Sequence, residues 1–152
     1  MTDFLDLRQL ARSHERFKQN HNQAVELSAT EAANAGEKLS RRRPGFTPRS
    51  PIGGAASRTK GRIIRRRGKV IVRLENDAKH AAILEKGSRP HIIRAKPGKT
   101  LRFVKGGKTI FTKAVRHPGT KPYRFLSKGR DVASRKFEQV MRPRMIRAAK
   151  SF

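Results

Sequence analysis

Positive charge is the feature that most limits what this chain can become. The 152 residues carry 38 Lys+Arg against 11 Asp+Glu, and the excess is unevenly placed. Residues 1–40 hold five basic side chains (Arg8, Arg12, Arg16, Lys18, Lys38) and six acidic ones, so 33 basic residues and only 5 acids fall after position 40. The net charge of +28 on that stretch far exceeds the magnitude of about 2–8 that keeps a small domain soluble. Self-repulsion on this scale opposes a compact monomer and is relieved by a polyanion close by. Nucleic acid suits that role, because each phosphate neutralised by Lys or Arg releases condensed counterions. A merely solvated, highly charged surface is the other reading of the same numbers.

Hydrophobic residues make up 35% of the chain, enough for a single modest core within one domain that carries extensions. The absence of cysteine excludes disulfides, thiolate nucleophiles and Cys-ligated zinc. No apolar run approaches the roughly 20 residues of a membrane span. The Met1-Thr2-Asp3-Phe4 start carries an acid where a secretory signal carries positive charge. The expectation is a soluble protein made inside the cell, with no membrane partner.

Spacings of three and four (Phe4, Leu7, Leu10, His14, Phe17, His21, Ala24, Ser28, Ala32, Ala35, Leu39) predict one helix over 2–40. Thr2 or Asp3 is its candidate cap, and Gly36 is expected to weaken its last turn. The stripe is narrow and alanine-rich, which suits a helix lying on a sheet or on a neighbouring subunit. Residues 41–59 break that pattern. Their Arg41-Arg42-Arg43-Pro44-Gly45 start and Pro48, Pro51, Gly53 and Gly54 read as a basic linker or extended arm. Residues 60–126 read as a β-rich core, with a hairpin around Arg66-Arg67-Gly68 and another around Lys105-Gly106-Gly107-Lys108. In the second hairpin, residues 100–104 and 109–115 are the expected strands. A short helix over 77–86, capped by Asn76 or Asp77 and stopped at Gly87, lies between the hairpins, followed by a strand at 90–94. Residues 127–152 turn helical again, with Pro143 expected to kink or break the helix near Arg142. Helix, arm, antiparallel strands with one short helix, and a closing helix make an α+β protein.

No catalytic signature stands out. After residue 40 the carboxylates are Glu75, Asp77, Glu85, Asp131 and Glu138, and capping or surface pairing explains most of them. His14, His21, His80, His91 and His117 show no metal-ligand spacing, although His80, His91, His117 and Glu85 are able to converge on folding. The glycine pairs lack the Gly-Lys-Ser/Thr ending of a phosphate-binding loop, and no nucleophile elbow surrounds Ser88. No catalytic residue, metal ligand or cofactor is expected. With one tyrosine and no tryptophan, base stacking is poorly supplied, so DNA contact is expected to be to backbone phosphate and without sequence preference.

One pair of blocks is more specific. His80-Ala81-Ala82-Ile83-Leu84-Glu85-Lys86-Gly87-Ser88-Arg89-Pro90-His91 is followed by Val115-Arg116-His117-Pro118-Gly119-Thr120-Lys121-Pro122-Tyr123-Arg124-Phe125-Leu126. Residues 80–126, about a third of the chain, resemble the siphophage neck and tail-completion family, also called minor tail or head-tail joining proteins. Members show an aromatic-Ala-x-x-Leu/Val-Glu-x-Gly-Thr/Ser element, a β-hairpin, and a His-Pro-Gly-x-x-Pro-x-Pro-Phe-Leu element before the last helix. His80 stands where the family usually has tyrosine, and Arg124 where a second proline is common.

The resemblance implies a structural virion protein, assembled in the host bacterial cytoplasm. It would form or join a homo-oligomeric ring in the neck around packaged double-stranded DNA, between the head-closure connector and the tail terminator and tail tube. Glu85, Gly87, His117, Pro118, Gly119, Pro122, Phe125 and Leu126 are then structural motif residues. Arg41, Arg42, Arg43, Arg65, Arg66 and Arg67, with Lys105, Lys108 and Lys128, are the candidates for facing DNA or an acidic neighbour. The alternative readings are a ribosomal- or nucleoid-like nucleic-acid binder, and a toxin or small nuclease whose histidines gather on folding.

Overall fold

A computed structural model describes residues 7–42, 44–46 and 54–150. Its longest element is helix α1 (Leu7–Arg42), followed by the hairpin β1 (Thr59–Arg66) and β2 (Lys69–Asn76) and the short helix α2 (Ala81–Lys86). Then come β3 (His91–Arg94), β4 (Leu101–Lys105), β5 (Lys108–Thr112), β6 (Ala114–His117) and the closing helix α3 (Phe125–Ala149). The expected α+β class and order of elements are present. Thr2, Asp3, Arg43 and residues 47–53 of the expected arm lie outside the described residues.

The packing centre is a crossing of small residues. On α1, the buried positions are Ala24, Ser28, Ala29, Ala32, Ala33, Gly36 and Ser40. Short side chains at these positions let neighbouring backbones approach closely, on two sides of the helix. On one side lies α3, where a Cβ built on Gly36 would stand 2.7 Å from the Gly129 carbonyl oxygen. On the other lies β1, where a Cβ on Gly61 would meet the Ala33 carbonyl oxygen at 2.5 Å. Leu74 of β2 plugs the crossing, its Cδ1 reaching both Gly36 and Gly129. Ser40 adds a hydroxyl bond to the Phe125 carbonyl at 3.0 Å. Gly36 is therefore a contact residue in the helix interior, and the helix runs on to Arg42 rather than weakening there.

Beside this crossing sits the apolar cluster of Ala55, Ala78, Ala81 and Phe125, with Phe46, Leu84 and Leu126 packed against it. Phe125 has no exposed surface and is the one large apolar side chain fully buried among the described residues. The buried set thus follows the helices and the first hairpin, whereas no residue from 82 to 124 is buried. The β-rich stretch 60–126 is only partly core, because its second half stands away from the body.

The strands form three separate two-stranded ribbons, β1–β2, β3–β6 and β4–β5, all antiparallel. The two expected turns are present, with Arg67 and Gly68 (φ 50° and 73°) and Gly106 and Gly107 (φ 58° and 77°) in the left-handed region. Such pairs match the twist of a tight hairpin. The strand expected over 109–115 is interrupted at Lys113, which separates β5 from β6. The Lys113 carbonyl accepts the Ala95 N–H at 2.8 Å, and residues 96–99 form a turn in which Lys99 N–H donates to the Lys96 carbonyl at 2.9 Å. Ribbons β3–β6 and β4–β5 are therefore successive parts of one long hairpin arm, whose returning strand, Lys108 to His117, spans up to about 30 Å at ~3.3 Å per residue.

Two helix boundaries differ from expectation for identifiable reasons. Asn76 is held in a turn: its Oδ1 accepts the Ala78 N–H at 3.0 Å and its Nδ2 donates to Thr59 Oγ1 at 2.9 Å and to the Ala55 carbonyl. That delays α2 to Ala81. Pro143 sits inside α3 without ending it. Beyond the proline, Arg144 Nη1 donates to Ser28 Oγ at 3.1 Å and Nη2 pairs with Glu31, while Ala148 is buried. Those ties to α1 hold the helix past its missing N–H, and the exposed Pro143 position leaves the freed carbonyl within reach of water.

Candidate functional surface

The two sequence blocks that carry the family resemblance fold against each other. Ser88 N–H donates to the Thr120 carbonyl at 2.9 Å and Thr120 N–H donates back at 3.1 Å. Tyr123 N–H donates to the Leu84 carbonyl at 2.9 Å. Gly87 and Gly119 take φ of 78° and 90°. A Cβ on Gly87 would stand 2.5 Å from the Thr120 carbonyl oxygen, and one on Gly119 would overlap that of Ser88. Both glycines are needed for backbone sign and for the closeness of the two segments. Pro122 packs on Gly87, and Pro118 leads into the Gly119 turn, where Gly119 N–H donates to His117 Nδ1 at 3.1 Å.

Glu85 ties this junction to α3. Its Oε2 accepts the Leu126 N–H at 2.8 Å, and its Oε1 accepts the Ser127 N–H at 3.0 Å and the Ser127 hydroxyl at 2.5 Å. Arg124, at the N-cap position of α3, lies at φ 53° and ψ 37° and makes no side-chain cap bond. A carboxylate from another element thus takes over the orphan N–H groups and meets the positive end of the helix. Phe125 and Leu126 then seat the first turn in the apolar cluster, with the Phe46 ring edge-on to Phe125 at 5.6 Å. The motif residues work as anchors for the arm and for α3.

The candidate cations do not gather at one point. Arg41 is occupied by Glu37, with Nη1 donating to Oε1 at 2.7 Å. Arg65 is likewise occupied, its Nε donating to Glu26 Oε1 at 2.6 Å and its Nη2 to Oε2. Glu26 and Glu37, both on α1, are eleven residues apart, so these two cations are separated by about 16 Å along the axis. Arg66 and Arg67 are exposed at the β1–β2 turn, Arg42 is exposed at the end of α1, and Lys128 is exposed in the first turn of α3. Lys105 and Lys108 face each other across the tip of the arm. Arg43 lies outside the described residues.

What the residue-type reading missed is the contrast between body and arm. Glu26, Glu31, Glu37, Glu75 and Asp77 each pair with an Arg of the body. Glu15 and Asp131 pair with Lys18 and Arg130. Glu85 is engaged at α3, so Glu138 is the one described carboxylate without such a partner. The bond from Arg144 holds the Glu31 carboxyl below its ordinary value of 4.5, and the Gly61 N–H, donating at 2.8 Å, does the same for Glu37. The arm has no acid at all, since none occurs between Glu85 and Asp131. That gap was visible in the sequence.

Two further features complete the surface. A groove of about 580 Å³ lies between β2 and α3, lined by Val70, Val72, Leu74, Ala133 and Phe137 with Arg73 and Arg130 at its edge. His91 and His117 meet as cross-strand partners with ring centroids 5.1 Å apart, while Glu85 is turned toward α3. Among the described residues, no three His, Asp or Glu side chains are placed to hold a metal ion. No described helix is long and apolar enough to cross a membrane. Comparison with protein-family models, with curated proteins and with solved structures returned no match.

Proposed function

We propose that this chain is a non-enzymatic structural protein of a tailed-bacteriophage virion. In this reading it is a neck or tail-completion subunit that acts in a homo-oligomeric ring. The ring joins the head connector to the tail terminator and tail tube around packaged double-stranded DNA. The observation that carries the reading is the mutual docking of residues 80–91 and 115–126. These two blocks resemble the neck family, and they are the segments that fasten a projecting arm and the last helix into the fold.

Features outside the motif fit a subunit that is completed by neighbours. The start of α1 carries exposed Leu7 (75%) and Leu10 (43%). Apolar side chains left in water on projecting elements suit burial in an assembly. The unpaired cations suit a DNA channel or an acidic neighbouring ring.

Quantitative mass spectrometry of gradient-purified particles from the strain that encodes this chain tests the reading. Peptides of the chain are expected at a copy number per particle of one ring, far below the major capsid protein. Their absence from intact infectious particles would overturn it and favour a free nucleic-acid binder.

A further inference from the structure

The arm from 88 to 120 holds cations for which no described carboxylate of this chain serves as counter-ion. Arg94, Lys96, Arg102, Lys105, Lys108 and Arg116 are all exposed, and none has a carboxylate partner among the described residues. Lys105 and Lys108 stand directly opposite each other across the Gly106-Gly107 turn. Like charges in that position destabilise a ribbon that has no anion nearby. An isolated two-stranded hairpin is itself marginal in water. A second copy of the chain is a poor source of the anion, because its described carboxylates other than Glu138 are already engaged.

We infer that the arm is a nucleic-acid-binding element, and that its β4–β5 ribbon grips duplex DNA through the sugar–phosphate backbone. The pairing register supports DNA over an acidic protein surface. Phe111 lies opposite Arg102 and Ile92 opposite Arg116, while Val104 lies opposite Thr109 and two residues from Arg102, so the exposed apolar groups of the arm are interspersed with cations. Such a mixed, strongly basic surface suits the polar, wet contacts of a DNA interface better than a protein core. A two-stranded ribbon also fits the major groove, about 12 Å wide, while its edge cations reach the flanking phosphates. The arm uses the basic surface described above but does not depend on the virion reading, so DNA binding and particle composition fail separately.

The test measures binding of the full chain to a duplex of about 30 base pairs by fluorescence anisotropy over a NaCl series. Log Kd should vary linearly with log salt. The triple variant Arg102→Ser, Lys105→Ser, Lys108→Ser is expected to reduce the slope by about 2–3, at ~0.9 for each phosphate no longer neutralised. A control triple, Arg142→Ser, Arg147→Ser, Lys150→Ser, removes the same charge from exposed positions near the end of α3. It is expected to change the slope by less than about 1. Circular dichroism confirms that both variants fold. Equal losses in the two variants would overturn the inference, since diffuse charge would then explain binding. So would an arm variant that binds DNA normally but no longer binds poly-glutamate, which would assign the arm to an acidic protein.

Discussion

Replacing Glu85 with alanine removes three accepted hydrogen bonds at once, from Leu126 N–H, Ser127 N–H and the Ser127 hydroxyl. Arg124, at the N-cap position, contributes no side-chain bond of its own. Loss of an ordinary N-cap costs about 1 kcal/mol, and a hydrogen bond to a charged group contributes roughly 1.5–3 kcal/mol. The site is half-buried and the freed N–H groups regain water, so the contributions do not add fully; a destabilisation of about 2–3 kcal/mol is expected. For a chain of this size that lowers Tm by roughly 6–9 °C. Glu85→Gln keeps one accepting oxygen and should lose about half as much. Urea unfolding followed by circular dichroism at neutral pH measures both. A Glu85→Ala midpoint within about 0.5 kcal/mol of the parent would refute the assignment of Glu85 as the cap of α3.

Three further outcomes follow from the packing. Gly129→Ala gains about 1 kcal/mol of helix propensity, yet its Cβ would stand 2.8 Å from the Gly36 carbonyl oxygen and overlap the Ser40 hydroxyl, so a net loss of roughly 2 kcal/mol is expected in urea melts. Pro143→Ala restores a donor inside a helix that is already continuous and should raise stability by about 1–2 kcal/mol; a loss would show that the proline shapes the helix. Glu31 and Glu37 titrate below 4.5 when folded, so their contribution is present above that value and lost as pH falls through the lower folded value. Tm should therefore decline below pH 4.5, and Glu31→Gln should flatten that decline.

Local signals carried much of the fold. The three-and-four spacing of α1 and the paired turn residues at Arg67-Gly68 and Gly106-Gly107 act through backbone geometry, and both were legible. The roles of Gly36 and Pro143 were not. Each breaks a helix when considered alone, and each is overridden by a partner far away in sequence: Gly129 for the first, and the Arg144 ties to Ser28 and Glu31 for the second. The division of the strands into ribbons was hidden for a similar reason. Apolar alternation at 101–115 resembles that of a sheet packed on a core, and only the exposure along 82–124, with no residue buried, shows that the arm leaves the body. For the candidate cations, residue type marked the charge but not its occupancy. Arg41 and Arg65 are held by glutamates four and thirty-nine positions away, and the second pairing depends on the hairpin lying along α1.

The central claim is a role in joining head to tail. Electron microscopy of particles produced with this gene interrupted by an early stop codon tests it most directly. The predicted result is DNA-filled heads and finished tails that accumulate unjoined, with joining restored when the chain is supplied in trans. Normal, infectious, tailed particles in the absence of the chain would contradict it.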